Sequence, residues 1–231
     1  MTKSPRIISI IPARGGSKGL PRKNIIDLCG KPLIAWTIES SLKSKYITKT
    51  IVSSDSEEIL KVAKSHGANV LKRPAELAKD DTASEPVINH VLESFDFNFD
   101  ILILLQPTSP MRDCHDIDSA IELLLNKKAE SLISVNKIDN KILKSFIKTS
   151  EGYLTGINNN KFPFMRRQDL PPVFMPNGAM YIIKVNSFTK KKSLFIENNT
   201  IPFLMNENKS ADIDTIEDLK LVESYIKNLN D

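Results

Sequence analysis

The sequence of 231 residues is poor in cysteine, histidine and tryptophan, with two, three and one of each. Cys29 and Cys114 are too few for a disulfide framework. No CxxC pair or Cys/His cluster indicates zinc, and the three isolated histidines form neither a metal site nor a catalytic triad. The composition therefore excludes the common zinc and cysteine chemistries.

Long apolar runs are missing as well. No stretch reaches the roughly 18 consecutive apolar residues of a membrane-spanning helix, and no apolar signal segment opens the chain. We therefore expect a soluble, cytoplasmic protein without a membrane partner. The net charge of +4 is mild and the lysines are not interleaved with aromatic residues, so no nucleic-acid partner is indicated.

Strand patterns alternate with helix patterns along most of the chain, and this alternation predicts an α/β fold with a mostly parallel, Rossmann-like sheet in three layers. The length suits one domain, residues 1–231. From about Asn136 to Pro176 the alternation stops, which indicates an inserted arm. The predicted strands are 7–11, 47–53, 69–72, 100–105, 131–135, 177–182 and 201–205, and the predicted helices are 33–43, 55–67, 87–95, 113–126 and 216–228.

The stretch from Ile7 to Asn24 carries the clearest chemical signal. Its β-branched run predicts a strand buried on both faces that ends at Pro12. A loop follows whose glycines permit close approach of a bulky ligand and whose cations suit a polyphosphate. The loop glycines are Gly15, Gly16 and Gly19, and its cations are Arg14, Lys18, Arg22 and Lys23. It matches neither a Walker loop nor a dinucleotide fingerprint, and an ordinary glycine turn with solvated lysines is the alternative.

Two carboxylates near the C-terminus form a second candidate site. Asp212 and Asp214 alternate with Ile213 in an extended segment, so both point to one side. Such a pair repels unless a cation lies between its members, and hard oxygen ligands suit Mg²⁺. The alternative is N-capping of the last helix by Asp214 or Thr215. For Asp55, at an earlier helix start, we prefer the capping interpretation.

Four segments resemble motifs of the CMP-sugar cytidylyltransferases, most closely the CMP-N-acylneuraminate (nonulosonic acid) synthetase family. They are I-P-A-R-G-G-S-K-G-L-P-R-K-N, R-P-A-E-L-A-K-D-D-T-A-S, Q-P-T-S-P-M-R and P-N-G-A-M-Y-I, and the family also has R-Q-x-L-P and a metal-binding D-I-D. Two departures stand out. Asp80 and Asp81 form a pair where one acid is usual, and Met175 stands where some members have arginine.

The resemblance implies a site in which the glycine loop wraps the triphosphate of CTP and paired carboxylates hold Mg²⁺ (or Mn²⁺). Its implied nucleotide-binding residues are Arg14, Gly15, Gly16, Ser17, Lys18, Lys23, Asn24, Arg73 and Ser84. The implied sugar-binding residues are Gln106, Arg167 and Tyr181, and the implied metal ligands are Asp212 and Asp214. Catalysis is assigned to Arg14, Lys18 and Asp214.

The function that follows is transfer of CMP from CTP to the anomeric hydroxyl of a nonulosonic acid, with N-acetylneuraminate as first choice. Legionaminic and pseudaminic acids are alternative acceptors. A nucleotide-sugar glycosyltransferase and a non-catalytic nucleotide-binding module remain as other classes. The resemblance further implies a homodimer built through the arm, whose apolar side chains need another surface; packing of the arm on its own sheet is the alternative.

Overall fold

The computed structural model describes residues 4–17 and 19–230, and a seven-stranded sheet lies at its centre. The strands are β1 Ile7–Pro12, β2 Asp27–Leu28, β3 Lys31–Pro32, β4 Ile47–Ser54, β5 Asn69–Lys72, β6 Ile101–Leu105, β7 Ser131–Ile138, β8 Phe146–Lys148, β9 Leu154–Gly156, β10 Val173–Lys184 and β11 Thr200–Leu204. The α-helices are α1 Leu33–Lys43, α2 Glu57–Ser65, α3 Ser84–Glu93, α4 Cys114–Lys127, α5 Val185–Lys191 and α6 Ile216–Asn230. The predicted strand and helix segments are all present, whereas α5 was not predicted.

The large sheet has the order β11-β7-β10-β6-β1-β4-β5. Every neighbouring pair is parallel except those of β10, which runs antiparallel to both β6 and β7. The two remaining pairs, β2 with β3 and β8 with β9, are small antiparallel hairpins. The prediction of a mostly parallel, Rossmann-like sheet is therefore confirmed.

The central strands β1 and β6 separate two apolar layers. Ile7 and Ile11 of β1 pack in one cluster with residues of α1, α2 and α4, and Ile8 and Ile10 pack in another with residues of α3 and α5. All five residues of β6 are buried, as are the first five of β1. Side chains on alternate faces of a strand thus meet helices on both sides, which gives the three-layer architecture.

The C-terminal helix α6 forms a third apolar cluster beside the glycine loop. Leu219 and Val222 of α6 pack with Ile213, Leu20 and Leu28. This packing lays the segment 212–214 against the loop that follows β1, although nearly 200 residues of chain separate them in sequence.

The predicted arm, from about Asn136 to Pro176, comprises the segment between β7 and β10 and the adjoining ends of those two strands. It contains the β8–β9 hairpin and three short 3₁₀ turns, Asn140–Lys144, Phe162–Phe164 and Arg167–Asp169. Among the described residues of the arm, Leu170 is the only large side chain that is buried, whereas Phe164 is 83% exposed. The described residues contain no helix long and apolar enough to cross a membrane.

Candidate active site

The carboxyl ends of the parallel strands define one edge of the sheet. β1 leads to β4 and β5 on one side, and the chain then returns to place β6 on the other side of β1. In open α/β sheets such a reversal opens a crevice beyond the strand ends. The loop after β1 and the loop that begins at Gln106 after β6 flank this crevice, so both predicted ligand loops meet at the same place.

The glycine loop is held by contacts that need its small residues. The Gly15 N–H donates to Asp55 Oδ1 at 2.9 Å, and a Cβ on Gly15 would lie 3.0 Å from Ser56 Cβ. A Cβ on Gly19 would lie 2.8 Å from the Asp214 carbonyl oxygen, closer than real Cβ atoms come to other atoms. Gly19 is therefore required for the loop to pack against the segment that carries Asp214.

The preferred interpretation of Asp55 as a helix cap is wrong. Ser56 is the N-cap of α2, and its hydroxyl accepts from the Ile59 N–H. The Asp55 carboxylate instead accepts from Gly15, because the end of β4 lies beside the end of β1. Asp55 is thus a support of the glycine loop, and helix-start statistics could not show this.

Two of the loop cations are paired with carboxylates from distant segments. Arg14 forms an ion pair with Asp80, which lies on the loop between β5 and α3. Lys23 Nζ donates to Asp214 Oδ1 at 2.8 Å, with the lysine side chain 16% exposed and the aspartate 71% exposed. Asn24, buried at the base of the loop, donates from Nδ2 to the Arg14 carbonyl oxygen at 2.9 Å.

The other loop residues fall into three groups. Arg22 was expected among the cations around the ligand but instead pairs with Glu58 on α2, and its side chain is 68% exposed. Gly16 and Ser17 lie in the turn at the crevice edge, Gly16 exposed and Ser17 half-buried. Lys18 lies outside the described residues.

Arg73 is buried at the end of β5, and its guanidinium is bonded to the protein. It donates to the Ser53 carbonyl oxygen at 2.6 Å, to Ser53 Oγ at 3.2 Å and to the Leu77 carbonyl oxygen at 3.3 Å. Burial lowers the pKa of Arg73, the Asp55 charge opposes that shift, and the Arg14 charge adds to it. Arg73 therefore ties β4 to the loop that carries Asp80 and lies near Arg14.

Ser84 is the first residue of α3 and is half-buried. The N-cap position is occupied by Ala83, which has no side-chain oxygen to accept from the first turn. The hydroxyl of Ser84 thus stands at an uncapped helix start, directly after the loop from Arg73.

The segment 212–214 is bound to the loop after β6. The Ile213 N–H donates to the Thr108 carbonyl oxygen at 2.9 Å, and the Ile213 side chain is fully buried. Asp212 is exposed to solvent on part of its surface and is surrounded by protein atoms elsewhere. Burial raises the pKa of Asp212, the neighbouring Asp214 raises it further, and the Thr108 hydroxyl and Lys23 oppose the rise. The two carboxylates therefore repel one another, as their spacing predicted.

The capping alternative for Asp214 does not hold. The Thr215 N–H donates to Asp218 Oδ2 at 2.8 Å, and the Asp218 N–H donates to Thr215 Oγ1 at 3.2 Å. This reciprocal pair is a capping box in which Thr215 is the N-cap of α6. The Asp214 carboxylate is left to face Lys23 and Asp212.

Two carboxylates suit Mg²⁺, which in proteins takes one or two carboxylates and completes its shell with water and substrate phosphates. No group of three or more His, Cys, Asp or Glu that could hold a metal occurs within residues 4–17 and 19–230. The ammonium of Lys23 on Asp214, together with the raised pKa of Asp212, marks a place where added positive charge is favourable. The donor set thus fits a magnesium ion shared with a phosphate-bearing ligand.

The opposite wall of the crevice is built by β6 and by a bulge in β10. The register of β10 against β7 shifts between Pro176 and Tyr181, and Gly178 has φ +77°. A Cβ on Gly178 would lie 3.9 Å from Gln106 Oε1, so Gln106 faces the bulge. Tyr181 follows the bulge, where burial and then the Asp212 charge raise its pKa. Gln106 therefore lies beside the bulge, and Tyr181 lies within range of the Asp212 charge.

A hydrogen-bond network holds that bulge. Asn177 Nδ2 donates to Asn136 Oδ1 and to Ser210 Oγ, both at 3.1 Å. The Ser134 hydroxyl donates to Asn177 Oδ1 at 2.6 Å and accepts from the Met180 N–H at 2.9 Å. The network joins β7, β10 and the segment before Asp212, so the bulge of β10 and the carboxylate pair are positioned together.

A second group of charged residues holds β10 and the segment before Asp212 in place. Arg112 is fully buried, donates to the Ala179 carbonyl oxygen at 3.0 Å, and has its pKa lowered to about 10 by burial against the opposing charges of Asp116 and Asp113. Lys209 Nζ binds Asp113 at 2.6 Å and Asp116 at 3.0 Å. The segment before Asp212 is thereby fastened to the start of α4.

Arg167 is not brought into this crevice within the one chain. It lies on the arm and pairs with Asp139 at 3.3 Å, with its side chain 61% exposed. The groove beside it has a volume of about 550 Å³ and is lined by Lys137, Asn140, Arg167, Gln168 and Leu170 among others.

Sequence reasoning missed Asp55, Thr108 and Asn177 as parts of this site. Thr108 had a usable signal, because it lies in a proline-flanked loop at the carboxyl end of a buried strand. Asn177 had one as well, because it precedes a glycine in a strand pattern, and such a glycine marks a bulge.

The fold and the convergence of a glycine loop, cations and paired carboxylates at the sheet's carboxyl edge define a nucleotide-binding α/β protein of the nucleotidyltransferase type. A family model described as cytidylyltransferase matches residues 8–229. The chain belongs to the cytidylyltransferase family.

Relatives in that family act on several sugar acids, according to their names. The chain is 36% identical over 221 residues to an N-acylneuraminate cytidylyltransferase of Escherichia coli, covering 94% of this chain and 51% of the relative. It is 36% identical to a CMP-N,N'-diacetyllegionaminic acid synthase of Legionella pneumophila, covering 96% of this chain and 97% of the relative. The chain is 32% identical to a pseudaminic acid cytidylyltransferase of Campylobacter jejuni, and the match covers 95% of this chain and 96% of the relative. The chain spans about half the length of the N-acylneuraminate cytidylyltransferases it matches.

Among solved structures, a CMP:2-keto-3-deoxy-manno-octonic acid synthetase complexed with CTP superposes with a TM-score of 0.73 over 97% of this chain and 99% of the other, at 16% identity. A 4-diphosphocytidyl-2C-methyl-D-erythritol synthase from Anaerococcus prevotii superposes with a TM-score of 0.69 over 97% of this chain and 100% of the other, at 14% identity. These likenesses show the fold.

Proposed function

We propose that this protein transfers CMP from CTP to the anomeric hydroxyl of a nonulosonic acid, with N-acetylneuraminate as the acceptor, and releases pyrophosphate. The observation that carries the proposal is the crevice itself, where the cations Arg14 and Lys23 of the glycine loop meet the carboxylate segment of Asp212 and Asp214, in a chain of this family. Legionaminic and pseudaminic acids are the alternative acceptors, because relatives of equal or similar identity bear those names.

In this reaction the anomeric oxygen attacks the α-phosphorus of CTP, and the bond between that phosphorus and the oxygen bridging to the β-phosphate breaks. Pyrophosphate leaves, and the hydroxyl proton passes to solvent. Arg14, Lys18 and Lys23 neutralise the triphosphate and the departing pyrophosphate, while Asn24 fixes the loop through the Arg14 carbonyl. Ser84 and Arg73 border the nucleoside, and the backbone of Gly15 to Ser17 permits close approach of the phosphates. The protein's contribution is position and charge compensation.

Asp212 and Asp214 would hold Mg²⁺ (or Mn²⁺) together with phosphate oxygens of the bound nucleotide. When bound, the ion supplies positive charge that stabilises the transferring phosphoryl group. Gln106 and Tyr181 border the side of the space away from the glycine loop, and we assign to them the orientation of the sugar. Because the reaction consumes CTP, we assign it to the cytoplasm, where the nucleotide pool is.

The test is pyrophosphate release from CTP and Mg²⁺ with a panel of acceptors: N-acetylneuraminate, legionaminic acid, pseudaminic acid, 3-deoxy-manno-octulosonate and no sugar. We expect release with a nonulosonic acid and none without sugar, and we expect Arg14→Ala to lose most of it. Release with none of the sugars, despite measurable CTP binding, would leave a nucleotide-binding module or a different transferase as the function.

We further propose that the protein is a homodimer built through the arm. The arm carries large apolar side chains that its own sheet does not cover: Phe146 is 43% exposed, Ile147 52%, Tyr153 75%, Leu154 68% and Phe164 83%. Phe146 and Phe164 meet edge to face with ring centroids 6.3 Å apart, so they form one apolar surface. The same strands that carry the arm, β7 and β10, border the crevice, so a partner's Arg167 could reach the sugar side of the site.

Light scattering of the wild type and of two charge variants tests this assembly. Phe164→Asp places a carboxylate on the arm surface and is expected to yield monomers, whereas Phe195→Asp, at a side chain 57% exposed outside the arm, is expected to leave dimers. Mixing inactive Arg167→Ala and Asp214→Asn chains should restore part of the activity if each site draws on both chains. A monomeric wild type would refute the dimer, and failed complementation would refute the shared site.

A further inference from the structure

The Arg14–Asp80 ion pair lies at the mouth of the crevice and joins the phosphate loop to the loop between β5 and α3. Arg14 is 33% exposed and Asp80 is 47% exposed, so both side chains can be reached by a ligand. Asp80 occupies the place where this chain has two consecutive acids, Asp80 and Asp81. An anion that bonds to the Arg14 guanidinium therefore has to compete with a carboxylate of the protein itself.

Charge near Arg14 explains why a carboxylate is held there. The Arg14 charge lowers the pKa of the buried Arg73, which means that the two guanidinium groups lie close enough to repel. Asp55 is nearby, but its carboxylate is already bonded to the Gly15 N–H. Asp80 is the acid that compensates Arg14 directly.

The two acids differ in how firmly they are held. Asp55 lies directly between β4 and the N-cap of α2, whereas Asp80 lies in a turn between the 3₁₀ helix Ala75–Leu77 and α3. Side chains in loops and turns are more mobile than those fixed at the end of a strand. Asp80 therefore neutralises Arg14 from a more mobile part of the chain than the one that holds Asp55.

Among the described residues of the crevice, the cations Arg14, Lys23 and Arg73 are matched by the carboxylates Asp55, Asp80, Asp212 and Asp214. Of these cations, Arg14 and Lys23 already have carboxylate partners when a triphosphate arrives. Its binding exchanges internal ion pairs for pairs to phosphate, so the strength of each internal pair subtracts from the affinity.

We propose that Asp80 is an internal counter-ion that competes with the CTP triphosphate for Arg14 and so sets the affinity for the nucleotide and for pyrophosphate. The inference rests on the proposed function, because it concerns the same crevice. It predicts that removing the Asp80 charge tightens binding of the anion, the reverse of what removing a ligand-binding residue does. The neutralised variant should also unfold at a lower temperature, because Arg14 then faces Arg73 without its acid.

The experiment compares dissociation constants for CTP, and separately for pyrophosphate, by titration calorimetry with wild type, Asp80→Asn and Asp81→Asn. Asp81 is exposed, carries the same charge and is adjacent, so it controls for net charge. We expect Asp80→Asn to bind both anions about two- to fivefold more tightly, the range that corresponds to loss of a partly exposed ion pair. Asp81→Asn should change binding by less than about twofold, because exposed charges at a distance are screened.

Two further variants locate the effect. In an Arg14→Ala background, Asp80→Asn should tighten binding clearly less than it does in wild type, because the Arg14–Asp80 pair is already broken. Asp80→Glu keeps the charge and should stay near wild type. If Asp80→Asn does not fold, Asp80→Ser supplies the neutral side chain.

The outcomes separate this inference from the function on which it rests. Unchanged or weaker CTP binding by Asp80→Asn, with wild type binding CTP normally, would overturn the counter-ion role and leave the proposed function standing. Equal tightening by Asp81→Asn would also overturn it in favour of general charge. Failure of the wild type to bind CTP would overturn both.

Discussion

Replacing Asp214 with asparagine distinguishes a role of this carboxylate in catalysis from a role in stabilising the fold. The side chain is 71% exposed and forms an ion pair at 2.8 Å with Lys23, whose side chain is 16% exposed. Because the aspartate is mostly exposed, we expect the pair to contribute about 0.2–1 kcal/mol to stability. The cap of α6, worth about 1 kcal/mol in general, belongs to Thr215 and is retained. Asp214→Asn also removes a charge that raises the pKa of Asp212, which offsets part of the loss.

The expected effect on turnover is much larger. A carboxylate that holds a metal against a transferring phosphoryl group contributes several kcal/mol, and about 3 kcal/mol corresponds to roughly a hundredfold in rate. We therefore expect Asp214→Asn to lose at least about a hundredfold in kcat at saturating Mg²⁺, while its melting temperature falls by no more than about 2–4 °C.

The assay is pyrophosphate release over a range of Mg²⁺ concentrations, run beside thermal unfolding. Glu217→Gln, an exposed acid in the first turn of α6, is the matched control and should keep both rate and stability. A kcat for Asp214→Asn within about tenfold of wild type would refute the metal role. A fall in melting temperature well beyond that of a surface ion pair would show that Asp214 is mainly structural.

Three further predictions follow from the site and its supports. Lys18→Ala should weaken CTP binding or slow the reaction while leaving sugar binding intact, as measured by steady-state kinetics with each substrate varied. N-acetylneuraminate should be preferred over 3-deoxy-manno-octulosonate in kcat/KM, because the glycine-loop and Q-P-T-S-P segments resemble the sialic acid enzymes. Lys209→Met should lower the free energy of unfolding near pH 7 by roughly 1 kcal/mol, since its bonds to partly buried Asp113 and Asp116 are lost, with exposed Lys220→Met as control.

The Lys209 prediction has a definite pH dependence. Burial raises the pKa of Asp113, but bonds from Lys209 and the first turn of α4 outweigh that effect and place it below the ordinary value. The stability due to this acid is therefore full above the ordinary aspartate pKa and is lost as pH falls through the lowered one. The difference between wild type and Lys209→Met in urea unfolding should shrink below about pH 4. A difference that stays constant down to pH 2 would contradict the ion-pair explanation.

The Lys18→Ala prediction and the acceptor prediction can each be refuted by a single result. Unchanged CTP kinetics in Lys18→Ala would remove that residue from the phosphate site. A higher kcat/KM for 3-deoxy-manno-octulosonate than for any nonulosonic acid would overturn the acceptor assignment.

Local pattern determined the central strands and the two ligand segments. The β-branched run of β1 and the apolar run of β6 are buried on both faces, and the loop that follows each lies at the crevice. The alternation of Asp212 and Asp214 placed two carboxylates together, and the Asp214 charge adds to the rise in the pKa of Asp212 that burial mainly causes. These features depend on residues that are neighbours in sequence, because side chains alternate along a strand and glycine adopts backbone conformations closed to other residues. They can therefore be predicted from the sequence.

Which groups meet across the crevice was decided by the tertiary structure. Asp55, predicted as a helix cap, accepts a hydrogen bond from Gly15 instead. Arg22, predicted among the cations around the ligand, pairs with Glu58 on α2. Local statistics could not separate Ser56 from Asp55 as the cap, because both are good cap residues one position apart.

The long-range pairs have the same origin. Arg14 meets Asp80 and Lys23 meets Asp214, contacts that span 66 and 191 residues of chain. They exist because β6 returns to the side of β1 and α6 packs its apolar face on Leu20 and Leu28, which brings distant loops to one edge of the sheet. Residue spacing along the chain carries no information about such contacts, since the packing of whole elements fixes them.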